Sequence, residues 1–157
     1  EAADLENYRS EFFGRLRQVL GDRDGIRIEG DRFVFSSEVL FPVGGADLSA
    51  AGRQQIARVA GTLRDVASEI PPEINWILRV DGHTDSQPFR GNAEYADNWE
   101  LSQARALSVV RYMQDQLGFP PDRLVAAAFG EWQPISEGDS DEALAANRRI
   151  ELKLTEK

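Results

Sequence analysis

Apolar residues recur at spacings of three and four along several stretches of this chain, the pattern of a helix that buries one face. The first such stretch ends at Gly21. The longer helices that follow have good start signals: Ser49 as an N-cap for one, and Asp97 with Glu100 as a capping-box-like pair for the other. Helices are therefore predicted over residues 4–20, 50–69, 98–117 and, more briefly, 142–146.

Short runs of β-forming residues lie between the helices. The runs 26–28 and 33–35 flank a glycine-containing turn at residues 29–31, which predicts a hairpin. Further strands are predicted over residues 74–80, 124–129 and 149–154, with loops at 40–47 and 81–97. Because helices alternate with strands, the predicted fold is an α/β (α+β) sandwich in which helices pack on one face of a mixed sheet.

The first helix is amphipathic and stands apart, because no strand lies close to it in sequence. We predict a division into residues 1–24, an N-terminal linker or dimerisation helix, and residues 25–157, the sheet domain. The helix either docks on that domain or pairs with its copy in a dimer. Its predicted buried stripe is Leu5, Tyr8, Phe12, Leu16, Val19 and Leu20.

Arg105 interrupts the apolar pattern of the third helix, one turn after Leu101. A guanidinium stays charged in proteins and is costly to enclose without a partner, so an anionic group is expected near it. Asp85 lies upstream, in the polar run that follows the predicted strand 74–80. Two interpretations are open. In one, Asp85 and Arg105 form a pocket for a ligand that carries both charges; in the other, they form an ion pair with each other.

Composition narrows the class of partner. The 157 residues suit one domain, and the formal net charge of −9 argues against nucleic acid or anionic lipid as a partner. The absence of cysteine excludes disulfides and thiolate metal sites. The sequence shows no membrane-spanning segment and no signal peptide, so any targeting information is expected upstream of Glu1.

His83 is the only histidine, and with Asp81 and Asp85 it suggests a metal or acid–base cluster. Alternate residues at a strand end point partly to opposite faces, however, and no second histidine is available. We therefore expect a histidine that forms hydrogen bonds within the loop, and no metal site. The sequence has neither a glycine-rich phosphate loop nor a serine within a nucleophile-elbow motif.

Four motifs occur in order along the chain: Gly82-His83-Thr84-Asp85, Asn98-Trp99-Glu100-Leu101-Ser102 with Arg105-Ala106, Gly130-Glu131 with Pro134, and Asn147-Arg148-Arg149-Ile150-Glu151. Together they resemble the OmpA C-terminal-like peptidoglycan-binding domain, closest to its MotB stator branch. The resemblance covers roughly residues 33–155.

The resemblance implies non-covalent binding of peptidoglycan, without catalysis or a cofactor, through the diaminopimelate of its stem peptide. Asp85 matches the family's aspartate for the ligand ammonium, and Arg105 matches its arginine for the ligand carboxylate. The other implied contacts are Thr84, Asn98, Leu101, Phe41 and Arg149. The loop 86–97, with Phe89, Arg90 and Tyr95, is longer than in porin-type members, which leaves two alternatives open: the loop covers the pocket, or it alters stem-peptide selectivity.

The same resemblance implies a periplasmic protein, anchored in the inner membrane through a segment upstream of residue 1. A homodimer and a membrane partner subunit are expected as well. Two alternatives stay open. One is a protein–protein assembly module of an ion-driven envelope machine, without glycan binding; the other is a metal-dependent hydrolase that uses Asp81, His83 and Asp85.

Overall fold

The computed structural model describes residues 2–20, 26–87 and 94–157, with five helices, five strands and one short 3-10 turn in those ranges. The predicted helix end at Gly21 and the loop residues Phe89 and Arg90 lie outside the described residues. The helices are α1 (Ala2–Leu20), α2 (Ser37–Leu40), α3 (Ala50–Ala67), α4 (Asn98–Asp115) and α5 (Asp141–Asn147). The strands are β1 (Ile26–Glu29), β2 (Arg32–Ser36), β3 (Trp76–His83), β4 (Leu124–Gly130) and β5 (Arg149–Glu156).

The strands form one sheet in the order β1-β2-β5-β3-β4. The pair β3 and β4 is parallel, and the other neighbours are antiparallel, so the sheet is mixed as predicted. In the register of β3 and β5, Asp81 lies opposite Glu151 and His83 lies opposite Arg149. This register decides which charged side chains meet, because side chains of facing residues share one face of a sheet.

The two faces of the sheet differ in composition. One face contributes apolar side chains such as Leu78, Val80 and Leu152 to a core that it shares with α1, α3 and α4. Because side chains alternate along a strand, the intervening residues lie on the other face. We call that surface the charged face; it carries Arg79, Asp81, His83, Arg149 and Glu151. The prediction of helices packed on one face of a mixed sheet is confirmed.

Helix α1 docks on the rest of the chain. Phe12, Leu16 and Leu20 are buried in the same core as the sheet residues, and Arg9 Nε donates a hydrogen bond of 3.0 Å to the carbonyl of Leu154. Val19, predicted in the buried stripe, is 48% exposed instead. The boundary near residue 24 and the dimer remain predictions.

Gly82 sets the distance between β3 and α4. A Cβ atom at this position would lie 2.1 Å from the carbonyl oxygen of Ser102 on α4, closer than any packed atoms approach. The backbone of α4 therefore lies directly against the end of β3, which brings the first turns of α4 beside the residues that follow the strand. None of the helices in the described part of the chain has the length and apolarity that a membrane crossing requires.

Candidate functional site

A cavity of about 460 Å³ opens where β3 ends and α4 begins. The loop after α2 forms its opposite wall. Six of the seven residues that the resemblance assigned to the ligand line it, and they are Phe41, Thr84, Asp85, Asn98, Leu101 and Arg105.

Asp85 is buried beside this cavity, two residues after the end of β3. Its Oδ1 accepts a hydrogen bond of 3.0 Å from the backbone N–H of Gln87, and its Oδ2 accepts one of 2.7 Å from Arg148. A second guanidinium nitrogen of Arg148 lies 2.6 Å from Glu38. Arg148 thus links two carboxylates at the cavity.

Arg105 projects from the third turn of α4 and is only 6% exposed. Its Nε donates to the carbonyl of Gly45 at 2.8 Å, and its guanidinium lies 5.3 Å from the ring centre of Phe41. Burial lowers the pKa of Arg105, and the positive charge of Arg148 lowers it further. Among the described residues, no carboxylate forms an ion pair with Arg105, so this enclosed cation is held by neutral groups.

Asp85 and Arg105 do not form an ion pair with each other; the ion pair of Asp85 is with Arg148. Sequence reasoning missed Arg148 because Arg148 and Arg149 are adjacent arginines in one motif. The signal that distinguishes them is position: Arg148 caps α5 before the sheet begins, whereas Arg149 opens β5.

Arg149 is not at the cavity, and its assignment there needs correction. It is fully buried, and its Nε lies 2.6 Å from Glu151. Its other two guanidinium nitrogens donate to the carbonyls of Asn147 and Gln133 at 3.1 and 2.7 Å. Each of its three side-chain nitrogens is thus bonded within the fold, and Arg148 replaces Arg149 as the second arginine of the candidate site.

The remaining contacts are fixed by hydrogen bonds within the chain. The backbone N–H of Thr84 donates to the carbonyl of Gly130 at 2.8 Å. Asn98 donates through its side-chain amide to the carbonyl of Gln87 at 3.1 Å and to Glu131 at 3.2 Å. Tyr95, from the long loop, lies near enough to Arg105 for their charges to interact. The start of α4 is thus tied to both loops beside the cavity.

The cluster of Asp81, His83 and Asp85 proposed for a hydrolase does not assemble. Asp81 and His83 lie on the charged face with Glu151, where one oxygen or nitrogen from each falls within 4.8 Å of the others. Both oxygens of Asp81 accept hydrogen bonds from Arg79, and Glu151 is paired with Arg149. A divalent cation there would have to displace a guanidinium.

His83 itself is stacked on Phe129, with ring centres 4.8 Å apart. Its Nε2 lies 3.7 Å from Glu151, too far for a hydrogen bond, and neither ring nitrogen has a hydrogen-bond partner. The predicted hydrogen bond of His83 within its loop is therefore wrong. Burial acts to raise the pKa of Glu151, but His83 and Arg149 outweigh it and lower that pKa to about 2.

Residues 40–148 match the model of the OmpA family. A peptidoglycan-associated lipoprotein from Pseudomonas aeruginosa is 39% identical over 74 residues, which are 47% of this chain and 40% of that protein. The chain spans about half the length of the curated relatives it matches.

Solved structures resemble the whole chain. A MotB-like protein from Desulfovibrio vulgaris is 29% identical, with a TM-score of 0.77 over 99% of this chain and 96% of that one. The cell wall anchor of the T6SS from Pseudomonas aeruginosa is 25% identical, with a TM-score of 0.69 over the full length of both chains.

Proposed function

This chain belongs to the OmpA family, and from that premise we propose that its cavity binds peptidoglycan non-covalently through the diaminopimelate of the stem peptide. The free end of diaminopimelate carries an ammonium and a carboxylate. Asp85 accepts the ammonium, and Arg105 binds the carboxylate with charge-assisted hydrogen bonds. The ligand end is neutral overall, which suits a domain with a net charge of −9.

The observation that carries this proposal is the state of Arg105. Arg105 is enclosed against carbonyl groups and an aromatic ring, and no carboxylate among the described residues forms an ion pair with it. A ligand carboxylate supplies the missing charge. Arg148 lies near enough to lower the pKa of Arg105, so the carboxylate enters a site with two guanidiniums.

The pairing of Asp85 with Arg148 is compatible with a second partner. An ionised carboxylate accepts several hydrogen bonds, and Arg148 has a second anchor in Glu38. The ammonium therefore adds to Asp85 without releasing Arg148. Thr84, Asn98, Leu101 and Phe41 complete the wall that orients the ligand.

We place the domain in the periplasm, as a non-catalytic anchor without a cofactor. The names of its relatives and structural neighbours, a peptidoglycan-associated lipoprotein and a cell wall anchor, support this setting. A tether to the inner membrane, a membrane partner subunit and a homodimer are part of the same proposal and follow the likeness to a MotB-like protein.

Retention by purified cell-wall sacculi tests the proposal. We expect Asp85→Ala and Arg105→Ala each to abolish retention, because losing one side of a charged contact costs about 2–5 kcal/mol of binding free energy. Arg111→Ala and Asp115→Ala are matched controls, since both residues are exposed on the same helix. Circular dichroism checks that every variant is folded.

Two results contradict the proposal. If either site variant is retained as well as the controls, the charged pair does not hold the ligand. If the folded parent chain is itself not retained, the protein–protein assembly alternative gains support.

A further inference from the structure

Two of the three tryptophans lie on the surface beside the cavity. Trp99 at the start of α4 is 50% exposed and Trp132 after β4 is 62% exposed, whereas Trp76 is buried against Phe119. An indole ring in water forgoes the large gain that its burial would give. Two exposed indole rings at one place therefore indicate a binding surface for a ligand or partner.

The two indoles flank one glycine. A Cβ atom at Gly130 would lie 3.4 Å from Trp132 and 3.5 Å from Trp99, so both rings lie over the same stretch of bare backbone. Gly130 has a φ of +60°, a conformation in which a larger residue is strained. We call the surface formed by Trp99, Gly130 and Trp132 the indole platform.

Hydrogen bonds hold this platform in place. The hydroxyl of Ser102 donates to the carbonyl of Trp99 and accepts from the N–H of Gly130, both at 3.1 Å. The backbone N–H of Trp132 donates to the carbonyl of Phe129 at 3.3 Å, which closes the turn that carries Trp132. The rings are thus presented by backbone that is already ordered, so covering them costs little further ordering.

The platform is continuous with the cavity. Thr84 and Asn98 both line the cavity. Thr84 donates its backbone N–H to Gly130, and Asn98 bonds to Glu131, so each cavity residue is tied to the turn that carries Trp132. Asn98 also directly precedes Trp99 at the start of α4, so the two segments that carry the indoles both adjoin the cavity.

From this continuity we propose that the indole platform is a second subsite, which stacks on a sugar ring of the glycan strand whose stem peptide occupies the cavity. The inference rests on the proposed function, because it takes the two ligands to be parts of one polymer. A pyranose ring offers a neutral face of C–H groups, which suits exposed indoles in a strongly acidic domain. Since the sugar and the peptide are covalently joined, the second contact forms at high effective concentration.

Two probes separate the subsites: the tripeptide L-Ala-D-Glu-diaminopimelate, and the disaccharide peptide that carries the same tripeptide on its sugars. We expect the parent chain to bind the disaccharide peptide more tightly. The double variant Trp99→Ala/Trp132→Ala should lose about tenfold in affinity for it, while its affinity for the tripeptide changes less than twofold. Isothermal titration gives both constants, and Val19→Ala, another exposed apolar residue, is the matched control.

Binding of peptide-free glycan strands tests the glycan subsite independently of the cavity. They should quench the tryptophan fluorescence of the parent and of Asp85→Ala, but not that of the double tryptophan variant, in which buried Trp76 remains as a reporter. If the tripeptide does not bind the parent, the cavity proposal fails whatever the glycan does. If the double variant binds the disaccharide peptide as well as the parent, the glycan subsite is overturned, and a protein partner is left to cover the indoles. Equal losses for both probes also overturn it.

Discussion

Two arginines are buried in the described part of this molecule, Arg105 at the cavity and Arg149 on the charged face of the sheet. They differ in the groups that surround their guanidiniums. Arg149 lies 2.6 Å from a carboxylate of its own chain, and its other two guanidinium nitrogens each donate to a carbonyl. Arg105 meets carbonyls and an aromatic ring but no carboxylate among the described residues. Burial lowers the pKa of both arginines; Glu151 opposes that effect at Arg149 through a direct hydrogen bond, whereas at Arg105 Tyr95 and Asp85 oppose it through their charges alone.

Under the proposed function, this difference separates a structural charge from one that is available to a ligand. A buried ion pair completed within the chain contributes to a defined fold, whereas an incomplete one leaves free energy that a ligand of opposite charge can recover. Burial alone does not distinguish the two arginines; the proposal rests on the burial of Arg105 without a carboxylate in direct contact. The comparison predicts opposite consequences when the two arginines are changed.

The largest effect is expected from Arg149→Ala. It leaves Glu151 buried without its closest partner, and breaking a buried pair on one side typically costs about 3–5 kcal/mol of unfolding free energy. Urea denaturation measures the loss. The double variant Arg149→Met/Glu151→Leu removes both charges and should recover most of it. A loss below about 1 kcal/mol in the single variant would mean that the pair on the charged face contributes little.

The pH dependence of stability tests the same ion pair, of Arg149 with Glu151, through its carboxylate. The pKa of Glu151 is lowered to about 2 in the folded chain, so its stabilising effect is complete above about pH 4.5 and is lost as the pH falls towards 2. Glu151→Gln should remove up to about 3 kcal/mol of this pH dependence. The comparison needs unfolding free energies at several pH values between 7 and 2.5. Glu156→Gln, exposed on the same strand, is the control and should keep the parent's slope.

Gly82→Ala tests the junction between the two regions, because Gly82 lies between Asp81 on the charged face and Asp85 at the cavity. The new Cβ would lie 2.1 Å from the carbonyl of Ser102, so α4 must move. Overpacking of this kind costs about 1–3 kcal/mol. Unlike Arg149→Ala, this variant should also weaken sacculus retention, since α4 carries Arg105.

Gly61→Ala is the matched control for that variant. Gly61 lies on the exposed side of α3 with no atom within 4 Å of its would-be Cβ, so alanine should stabilise the helix by about 0.5–1 kcal/mol. If Gly82→Ala is as stable as the parent and is fully retained by sacculi, α4 does not need its close approach to β3.

Much of the fold was predictable because its signals are local. Helical periodicity and caps located α3 and α4 to within two residues at most of their termini, and the side chains of Ser49 and Asp97 do cap them. The short helix α2 falls at the edge of a predicted loop, since four residues are too few to show a period. Strand β3 runs three residues beyond its predicted end because its polar residues are paired across the sheet rather than exposed in a loop.

The site was predictable in part. The resemblance and the helical spacing led to Asp85 and Arg105, because a charge out of place in an apolar stripe is visible in sequence. Arg148 and Arg149 could not be told apart that way. Which of two adjacent arginines faces the cavity depends on the residue at which β5 begins, and pairing between distant strands sets that residue.

Arg105→Met should have the smallest effect on stability. The change loses hydrogen bonds of 2.8 and 3.4 Å to the carbonyls of Gly45 and Pro42, but it also removes a charge whose enclosure lowers its own pKa. These two contributions oppose each other, so the unfolding free energy should stay within about 1 kcal/mol of the parent value. Sacculus retention should nevertheless be lost. A destabilisation as large as that of Arg149→Ala would show that Arg105 is structural as well, and the distinction between the two arginines would then no longer support a zwitterion site.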